Sequence, residues 1–234
     1  MESVARKMAT FPLAVKMVMI DLDGTLIDTV PDLAAAANRT LADLGRAGWD
    51  ESHYRKWIGN GVPRFVKRAL TGEMQAEPET ALFERALALF RKHYGAAVAD
   101  LSRPYAGVVE GIERLSAMGF ELACITNKAE AFTVPLLKQL DLYKYFKLVL
   151  SGDSLPQQKP DPLPLMHACK HFGITPDHGM LVGDSSNDVE AARAAGMPVI
   201  CVTYGYNHGH DIRESHPDAV VDSLADVPPY LKLY

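Results

Sequence analysis

Cysteine is scarce in this sequence, with three residues among 234. An odd and sparse set is not a disulfide framework, and it is typical of a reducing compartment, so we expect a cytoplasmic protein. Cys124 and Cys201 lie inside short apolar runs. This favours burial in the core over a role as nucleophiles.

Long apolar runs are also missing. No stretch approaches the roughly 18 apolar residues that a membrane helix needs, so we expect no membrane association. Residues 1–11 carry Arg6 and Lys7 but no signal-peptide cleavage pattern, and they lead directly into an apolar run that ends at Asp21. We therefore expect no signal peptide.

The sequence has no block of basic residues. Its 24 Lys and Arg residues are outnumbered by 29 Asp and Glu residues, and the net charge is -5. This pattern does not favour a nucleic-acid partner. A small anionic substrate stays compatible with it, because the local charge of a pocket matters more than the net charge.

What the sequence does contain is an alternation of short apolar runs and helical patterns. Strands are predicted at residues 15–20, 122–126, 148–150, 180–182, 199–202 and 219–221. Several of them are apolar on both faces, as parallel strands covered by helices are. Helices are predicted over 109–118 and 188–195, each followed by a glycine that ends it. The alternation predicts a doubly wound α/β fold of the Rossmann type with a parallel sheet.

The alternation is interrupted once. No good strand is predicted between Leu26 and about Arg103, where helical patterns begin at Pro31, at Pro63 and near Leu82. We therefore predict an α-helical subdomain at residues 29–102, inserted into an α/β core formed by residues 1–28 and 103–234.

Polar side chains follow three of the predicted strands at their carboxyl ends. They are Asp21, Asp23, Thr126, Asn127, Asp184 and Asp188. Lys159 lies in a turn made rigid by two prolines, just before a predicted helix. Ligands of open α/β sheets bind outside the carboxyl ends of the strands, so we expect these residues to form one site.

The chemistry that suits this set is phosphoryl transfer. Carboxylates as close as Asp21 and Asp23 are costly unless a cation or a substrate uses them. Mg²⁺ prefers oxygen ligands, and Asp21 and Asp184 can supply two of them. Asp21 can then act as a nucleophile that forms an aspartyl-phosphate, and Asp23 can act as general acid and base. Thr126 and Lys159 can stabilise the charge of the phosphoryl group.

Four motifs that carry these residues resemble, in order, those of the haloacid dehalogenase (HAD) superfamily. They are DLDGTLID at 21–28, ITN at 125–127, KPDP at 159–162 and GDSSND at 183–188. The resemblance implies a HAD core, and it implies that the helical insertion is the cap of that superfamily. Such caps close over small substrates and exclude water.

The same resemblance implies roles for the acids. Asp21 would be the nucleophile and Asp23 the acid and base. Mg²⁺ would be bound by Asp21, the backbone carbonyl of Asp23 and Asp184, with Asp188 supporting the site through water. Dehalogenases of the superfamily lack a carboxylate at the position of Asp23, so the resemblance indicates a phosphatase or a phosphotransferase.

Two further stretches, IGNGVPR at 58–64 and YGYNHG at 204–209, are similar to bacterial phosphoglycolate phosphatases. That resemblance implies a small phosphorylated metabolite as substrate, 2-phosphoglycolate, which is hydrolysed to glycolate and phosphate. Candidate substrate ligands are Thr126, Asn127, Lys159 and Arg64. Arg64 is included because a guanidinium can bind a carboxylate with two hydrogen bonds.

Alternatives stay open. A sugar-phosphate phosphatase or a phosphomutase of the same superfamily would use the same core. A phospho-aspartate signalling domain is less favoured, because Asp23 would shorten the life of a phosphorylated Asp21. Asp188 can instead stabilise a helix N-terminus, and Arg64 can be a solvated residue. A monomer and a homodimer fit the sequence equally well.

Overall fold

The structure of the chain is a computed structural model that describes residues 10–234. Residues 1–9, which include most of the segment for which the sequence predicts no signal peptide, lie outside the described residues. Within 10–234, none of the helices combines the length and the apolar character that crossing a membrane requires.

Strands and helices alternate through most of the chain, as the sequence predicts. The strands are β1 (Leu13–Val15), β2 (Met17–Ile20), β3 (Ile27–Asp28), β4 (Arg103–Pro104), β5 (Glu121–Ile125), β6 (Leu148–Leu150), β7 (Gly179–Gly183), β8 (Val199–Val202), β9 (Ala219–Val221) and β10 (Leu231–Leu233). The helices are α1 (Val30–Asp43), α2 (Glu51–Trp57), α3 (Gly61–Thr71), α4 (Thr80–Ala96), α5 (Val108–Ala117), α6 (Glu130–Gln139), α7 (Leu163–Phe172) and α8 (Ser186–Ala195).

The central sheet has six parallel strands in the order β6-β5-β2-β7-β8-β9. Each corresponds to one of the six predicted strands, so the predicted doubly wound α/β fold is confirmed. The first predicted strand is divided in two: Val15 pairs with Leu233 in a separate pair of strands, β1 and β10, and β2 begins at Met17.

Alternate residues of the strands pack into two apolar layers. Val18 and Ile20 of β2 face a layer that includes residues of α5 and α6, whereas Met17 and Met19 face a layer that includes residues of α7 and α8. Helices therefore cover both faces of the sheet, which explains why the strands are apolar on both sides.

The buried cysteines belong to these layers. Cys124 lies in the first layer and Cys201 in the second, and both are completely buried. The prediction that they are core residues is confirmed. Burial also raises the pKa of both thiols.

Helices α1 to α4 form one helical segment between β3 and β4. These two short strands pair antiparallel, Ile27 with Pro104 and Asp28 with Arg103, so the chain leaves and re-enters the core at adjacent points. The expectation of no strand in this stretch is wrong at Ile27–Asp28, because two residues are too few to show an alternating pattern. The division into a core of 1–28 and 103–234 and a cap of 29–102 stays a prediction.

Aromatic side chains pack the helical segment onto the core. Tyr54, Phe65, Phe90 and Tyr94 contact one another in sequence, with ring centroids 5.4–5.7 Å apart. Tyr94 then packs against Phe132 of α6, with centroids 4.9 Å apart. The segment and the core thus share one apolar cluster.

The topology places a crevice at the centre of the sheet. The chain passes from β2 to β5 and β6 on one side, and from β7 to β8 and β9 on the other. Ligands of such sheets bind where the strand order reverses, here between the neighbouring strands β2 and β7. Asp21 follows β2 and Asp184 follows β7.

Candidate active site

Three buried carboxylates lie together in this crevice. Asp21, Asp184 and Asp188 each offer an oxygen within 4.8 Å of the others. The backbone N–H of Asp21 donates to the carbonyl of Val182 at 2.9 Å, which keeps the ends of β2 and β7 in register. Asp188 reaches the same place from the first turn of α8. The structure thus brings the three acids together as the sequence predicts.

The ammonium group of Lys159 lies among these acids. Its Nζ is 2.8 Å from Asp21 Oδ1 and 2.7 Å from Asp188 Oδ1, and it donates to the carbonyl of Ile125 at 2.6 Å. These partners use its three N–H donors. Burial opposes the charge of Lys159, but Asp188 and Asp21 outweigh it and hold the pKa above its ordinary value. Lys159 is therefore a fixed positive charge beside Asp21.

Asp188 supports both Lys159 and the start of α8. Its Oδ2 accepts hydrogen bonds from the backbone N–H of Ser185 at 3.1 Å and from the Ser185 hydroxyl at 2.7 Å. Its Oδ1 is held by Lys159. Because most of its acceptor positions are used, Asp188 has less capacity to bind a cation directly than Asp21 and Asp184 have.

Asp184 is fixed by groups from two loops. The Thr25 hydroxyl donates to Oδ1 at 2.8 Å, and the backbone N–H of Tyr206 donates to Oδ2 at 2.7 Å. Two glycines pack against it: a Cβ at Gly24 would lie 2.5 Å from Asp184 Oδ2, and one at Gly205 would lie 2.1 Å from Asp184 Cβ. These positions therefore leave no room for a side chain.

The charges of the site do not balance without a cation. When ionised, Asp21, Asp184 and Asp188 carry three negative charges against the single positive charge of Lys159. Burial raises the pKa of Asp21 to about 7, with Asp188 adding to the effect and Lys159 opposing it. Burial and the neighbouring Asp21 also raise the pKa of Asp184 well above its ordinary value. A divalent cation would remove this cost, and oxygen donors of this kind suit Mg²⁺.

Asp23 has a separate set of partners. Its Oδ1 accepts hydrogen bonds from the Thr29 hydroxyl at 2.7 Å and from Lys128 Nζ at 3.0 Å. Lys128 is only 4% exposed, and its Nζ lies 4.7 Å from the centre of the Tyr94 ring. Burial opposes its charge, but Asp23 outweighs it and the pKa of Lys128 is raised.

Lys128 is a site residue that the sequence analysis missed. It follows Thr126 and Asn127 directly and so lies at the same strand end. Its position beside two predicted ligands was the available signal. Its partner Tyr94 comes from α4, and a contact between such distant parts of the chain cannot be read from local patterns.

Thr126 and Asn127 lie at the end of β5. The Thr126 hydroxyl accepts from the backbone N–H of Lys128 at 3.2 Å, which leaves its own proton free to donate. Asn127 Nδ2 donates to the carbonyls of Gly59 at 2.9 Å and Lys159 at 2.8 Å. Its amide N–H groups thus connect the helical segment to the Lys159 turn, and its substrate role stays a prediction.

These side chains line one cavity. Its core lining consists of Asp21, Asp23, Thr126, Asn127, Lys128, Lys159, Asp184, Ser185, Asn187, Tyr206 and Asn207. The helical segment contributes Leu33, Ile58, Gly59, Gly61, Val62 and Phe65. The cavity is therefore polar on the side of the core and mostly apolar on the side of the helical segment.

Arg64 is not among the residues that line this cavity. Its guanidinium pairs with Glu77 at 2.9 Å, whereas Val62 and Phe65 of the same helix face the cavity. The structure therefore does not bring Arg64 to the other candidate ligands, and its substrate role stays a prediction.

Arg68, one turn beyond Arg64, is buried instead. It donates to the Trp57 carbonyl at 2.7 Å and to Asn60 Oδ1 at 2.8 Å. It thereby fixes the loop that precedes α3. The carbonyl of Gly59 in this loop accepts from Asn127 and, at 3.2 Å, from Asn187 of α8. This loop is thus held from both the helical segment and the core.

Comparison with known proteins agrees with this geometry. A model of the haloacid dehalogenase-like hydrolases matches residues 18–202. The phosphoglycolate phosphatase of Thiobacillus denitrificans is 59% identical over 219 residues, which cover 94% of this chain and 96% of that protein. The phosphoglycolate phosphatase of Nitrosospira multiformis is 54% identical over 92% of this chain and 94% of that protein.

A solved structure is similar as well. The crystal structure of a predicted phosphoglycolate phosphatase from Haemophilus somnus superposes with a TM-score of 0.85 and is 37% identical. The match covers 91% of this chain and 96% of that one. The likeness therefore extends over both the core and the helical segment.

Proposed function

This chain belongs to the haloacid dehalogenase-like hydrolase family, and from that premise we propose that it is a cytoplasmic, Mg²⁺-dependent phosphatase that hydrolyses 2-phosphoglycolate to glycolate and phosphate. The observation that carries the proposal is the difference between its two neighbouring acids. Asp21 is fixed by Lys159 among the buried carboxylates, and Asp23 is fixed by Thr29 and Lys128. The names of the relatives support the substrate.

Asp21, the backbone carbonyl of Asp23, and Asp184 would hold the ion, with Asp188 supporting them. When bound, Mg²⁺ would offset the repulsion between the carboxylates and an anionic phosphate. The three acids and the charge imbalance described above support this assignment.

In the first step, a carboxylate oxygen of Asp21 attacks the phosphorus of the ester. The bond between phosphorus and the ester oxygen breaks, and that oxygen takes a proton from Asp23, so glycolate leaves as an alcohol. The product on the protein is an aspartyl-phosphate at Asp21.

In the second step, Asp23 takes a proton from a water molecule, which attacks the phosphorus of the aspartyl-phosphate. The bond to Asp21 breaks, so phosphate is released and both aspartates return to their initial states. Thr126 can donate its hydroxyl proton to a phosphoryl oxygen. Lys159 holds Asp21 in place and balances negative charge on the phosphoryl group.

The helical segment is proposed to act as a cap over this reaction. Its apolar residues Leu33, Val62 and Phe65 line the cavity opposite the acids. Excluding water would strengthen the electrostatic interactions inside and favour transfer to Asp21 before water enters.

A panel of phosphate esters tests the proposal. Purified protein with Mg²⁺ is expected to release phosphate from 2-phosphoglycolate with a higher kcat/KM than from hexose or pentose phosphates. Faster release from a sugar phosphate would overturn the substrate, and formation of an isomerised sugar phosphate would indicate a phosphomutase. A stable phosphorylated Asp21 without turnover would indicate a signalling domain.

A further inference from the structure

Two side-chain cations line the cavity in the described part of the chain, Lys128 and Lys159. The donors of Lys159 are used by Asp21, Asp188 and the carbonyl of Ile125. Lys159 therefore has no N–H left for a second anionic group of a substrate.

Lys128 differs in this respect. Its hydrogen bonds go to a single carboxylate, at 3.0 Å to Asp23 Oδ1 and 3.3 Å to Oδ2. Its other neighbour is Tyr94, whose ring centre lies 4.7 Å from Nζ and whose hydroxyl is within reach of the same ammonium group. Because Lys128 pairs with one carboxylate where Lys159 pairs with two, its charge is less fully balanced and can attract an anionic group of a ligand in the cavity.

The chemistry of the proposed substrate places its carboxylate next to Asp23. In 2-phosphoglycolate a single methylene carbon separates the ester oxygen from the carboxylate carbon. Asp23 must reach that ester oxygen to protonate it. The group that binds the carboxylate must therefore lie beside Asp23, and Lys128 is in direct contact with it.

The start of α3 adds two donors on the same side of the cavity. Gly61 and Val62 line the cavity, and no side chain caps this helix, so the N–H groups of its first turn have no partner within the helix. A Cβ on Gly61 would lie 3.5 Å from the carbonyl oxygen of Asn127, the residue before Lys128. A carboxylate is favoured at such a helix end.

We propose that Lys128, together with the start of α3, binds the substrate carboxylate and so selects phosphate esters of small hydroxy acids. The inference rests on the proposed function and identifies the residue that sets its specificity. It replaces Arg64 in that role, since Arg64 pairs with Glu77 and does not line the cavity.

The test compares 2-phosphoglycolate with 2-hydroxyethyl phosphate, in which a neutral hydroxymethyl group replaces the carboxylate. In Lys128→Met, the ratio of the two kcat/KM values is expected to fall about 10- to 100-fold, the range for losing a hydrogen bond between charged groups. Lys128→Arg is expected to restore part of the ratio. An equal loss on both substrates would show that Lys128 only positions Asp23 and would overturn the proposal.

Two further variants serve as comparisons. Lys67→Met removes a lysine of α3 that pairs with Glu77 outside the cavity lining, and it is expected to leave the ratio unchanged. Arg64→Met is expected to change the ratio less than Lys128→Met does. A larger change in Arg64→Met would assign the carboxylate to Arg64 and would contradict the proposal.

A binding measurement guards against poor folding of Lys128→Met, in which Asp23 loses its buried partner. The comparison therefore uses Asp23→Asn and the double variant Asp23→Asn/Lys128→Met, neither of which has an unpaired carboxylate at position 23. Calorimetry with Mg²⁺ measures the affinity of each variant for both esters. The preference for 2-phosphoglycolate is expected to be about 10- to 100-fold smaller in the double variant than in Asp23→Asn, and an equal preference would overturn the proposal. Wild-type protein that does not prefer 2-phosphoglycolate would instead contradict the proposed function.

Discussion

Asp21 and Asp23 are two residues apart, yet the structure gives them different neighbours. Asp21 contacts Lys159 within a cluster of buried acids, and Asp23 contacts Lys128 and Thr29. Each aspartate is thus paired with its own buried lysine. This separation gives the proposed nucleophile and the proposed acid and base different surroundings.

The pairing of Lys159 with Asp188 makes a prediction about stability. Asp188→Ala removes one partner of the buried Lys159 and leaves the buried N–H of Ser185 without its acceptor, so it is expected to lower the free energy of unfolding by about 3 kcal/mol. Glu110→Ala is the matched control, because its pair with Arg114 lies on the surface of α5 and is expected to contribute less than about 1 kcal/mol. Urea unfolding of both variants gives the two values, and equal losses would contradict the prediction.

The raised pKa values of Asp21 and Asp184 predict how stability depends on pH in the absence of metal. The folded protein keeps a proton on Asp21 up to about pH 7, because burial raises its pKa, and burial likewise raises the pKa of Asp184 well above its ordinary value. The unfolded chain releases both protons near the ordinary pKa of 3.8. Between pH 3.8 and about pH 7 the folded state therefore binds more protons than the unfolded state. The free energy of unfolding should fall as the pH rises through this range.

Asp184→Asn removes one of these acids and should flatten this dependence. Urea unfolding between pH 5 and pH 7.5 in EDTA measures the free energy of unfolding of both proteins. Parallel pH profiles for wild type and Asp184→Asn would show that the acids do not carry the effect.

At the scale of elements, the loop after β8 connects the cluster of buried carboxylates to the base of the helical segment. The backbone N–H of Tyr206 holds Asp184. The Tyr206 hydroxyl donates to Asp28 Oδ1 at 2.8 Å and accepts from the backbone N–H of Thr29 at 2.9 Å, at the junction of β3 and α1. Asp28 in turn pairs with Arg55 of α2 at 3.1 Å. One loop thus contacts the site and both sides of this junction.

Tyr206→Phe tests this connection. The variant leaves the buried N–H of Thr29 without its acceptor, so the free energy of unfolding is expected to fall by about 1–3 kcal/mol. Tyr145→Phe is the control, since its hydroxyl bonds to Glu113 on the surface, and we expect a change within about 0.5 kcal/mol. Urea unfolding measures the free energy of unfolding of both variants. A Tyr206→Phe variant as stable as wild type would show that the hydroxyl does not stabilise the junction of β3 and α1.

At the scale of the whole molecule, the parts that depend on local pattern were predictable. The six central strands are apolar runs, and parallel strands bring their carboxyl ends to one edge, so Asp21 and Asp184 could be expected to meet. The strand pairs β1–β10 and β3–β4 could not be predicted from the sequence, because each joins short segments that are distant along the chain.

The side of the cavity formed by the helical segment was the least predictable part. The sequence shows that Arg64 lies on a helix, but which face of α3 points inward is decided by packing of the whole segment. Val62 and Phe65 face the cavity, and Arg64 pairs with Glu77. For the same reason, Lys128 could be identified as a site residue only from its contacts with Asp23 and Tyr94 in the structure.

The most direct test of the function is the rate of phosphate release from 2-phosphoglycolate by wild-type protein and Asp21→Asn, each with Mg²⁺ and with EDTA. Wild type is expected to turn over with Mg²⁺ and to lose that activity in EDTA. Asp21→Asn is expected to lower kcat by more than about a thousandfold, because the variant lacks the proposed nucleophile. Activity of Asp21→Asn within tenfold of wild type, or equal rates in EDTA, would contradict the mechanism.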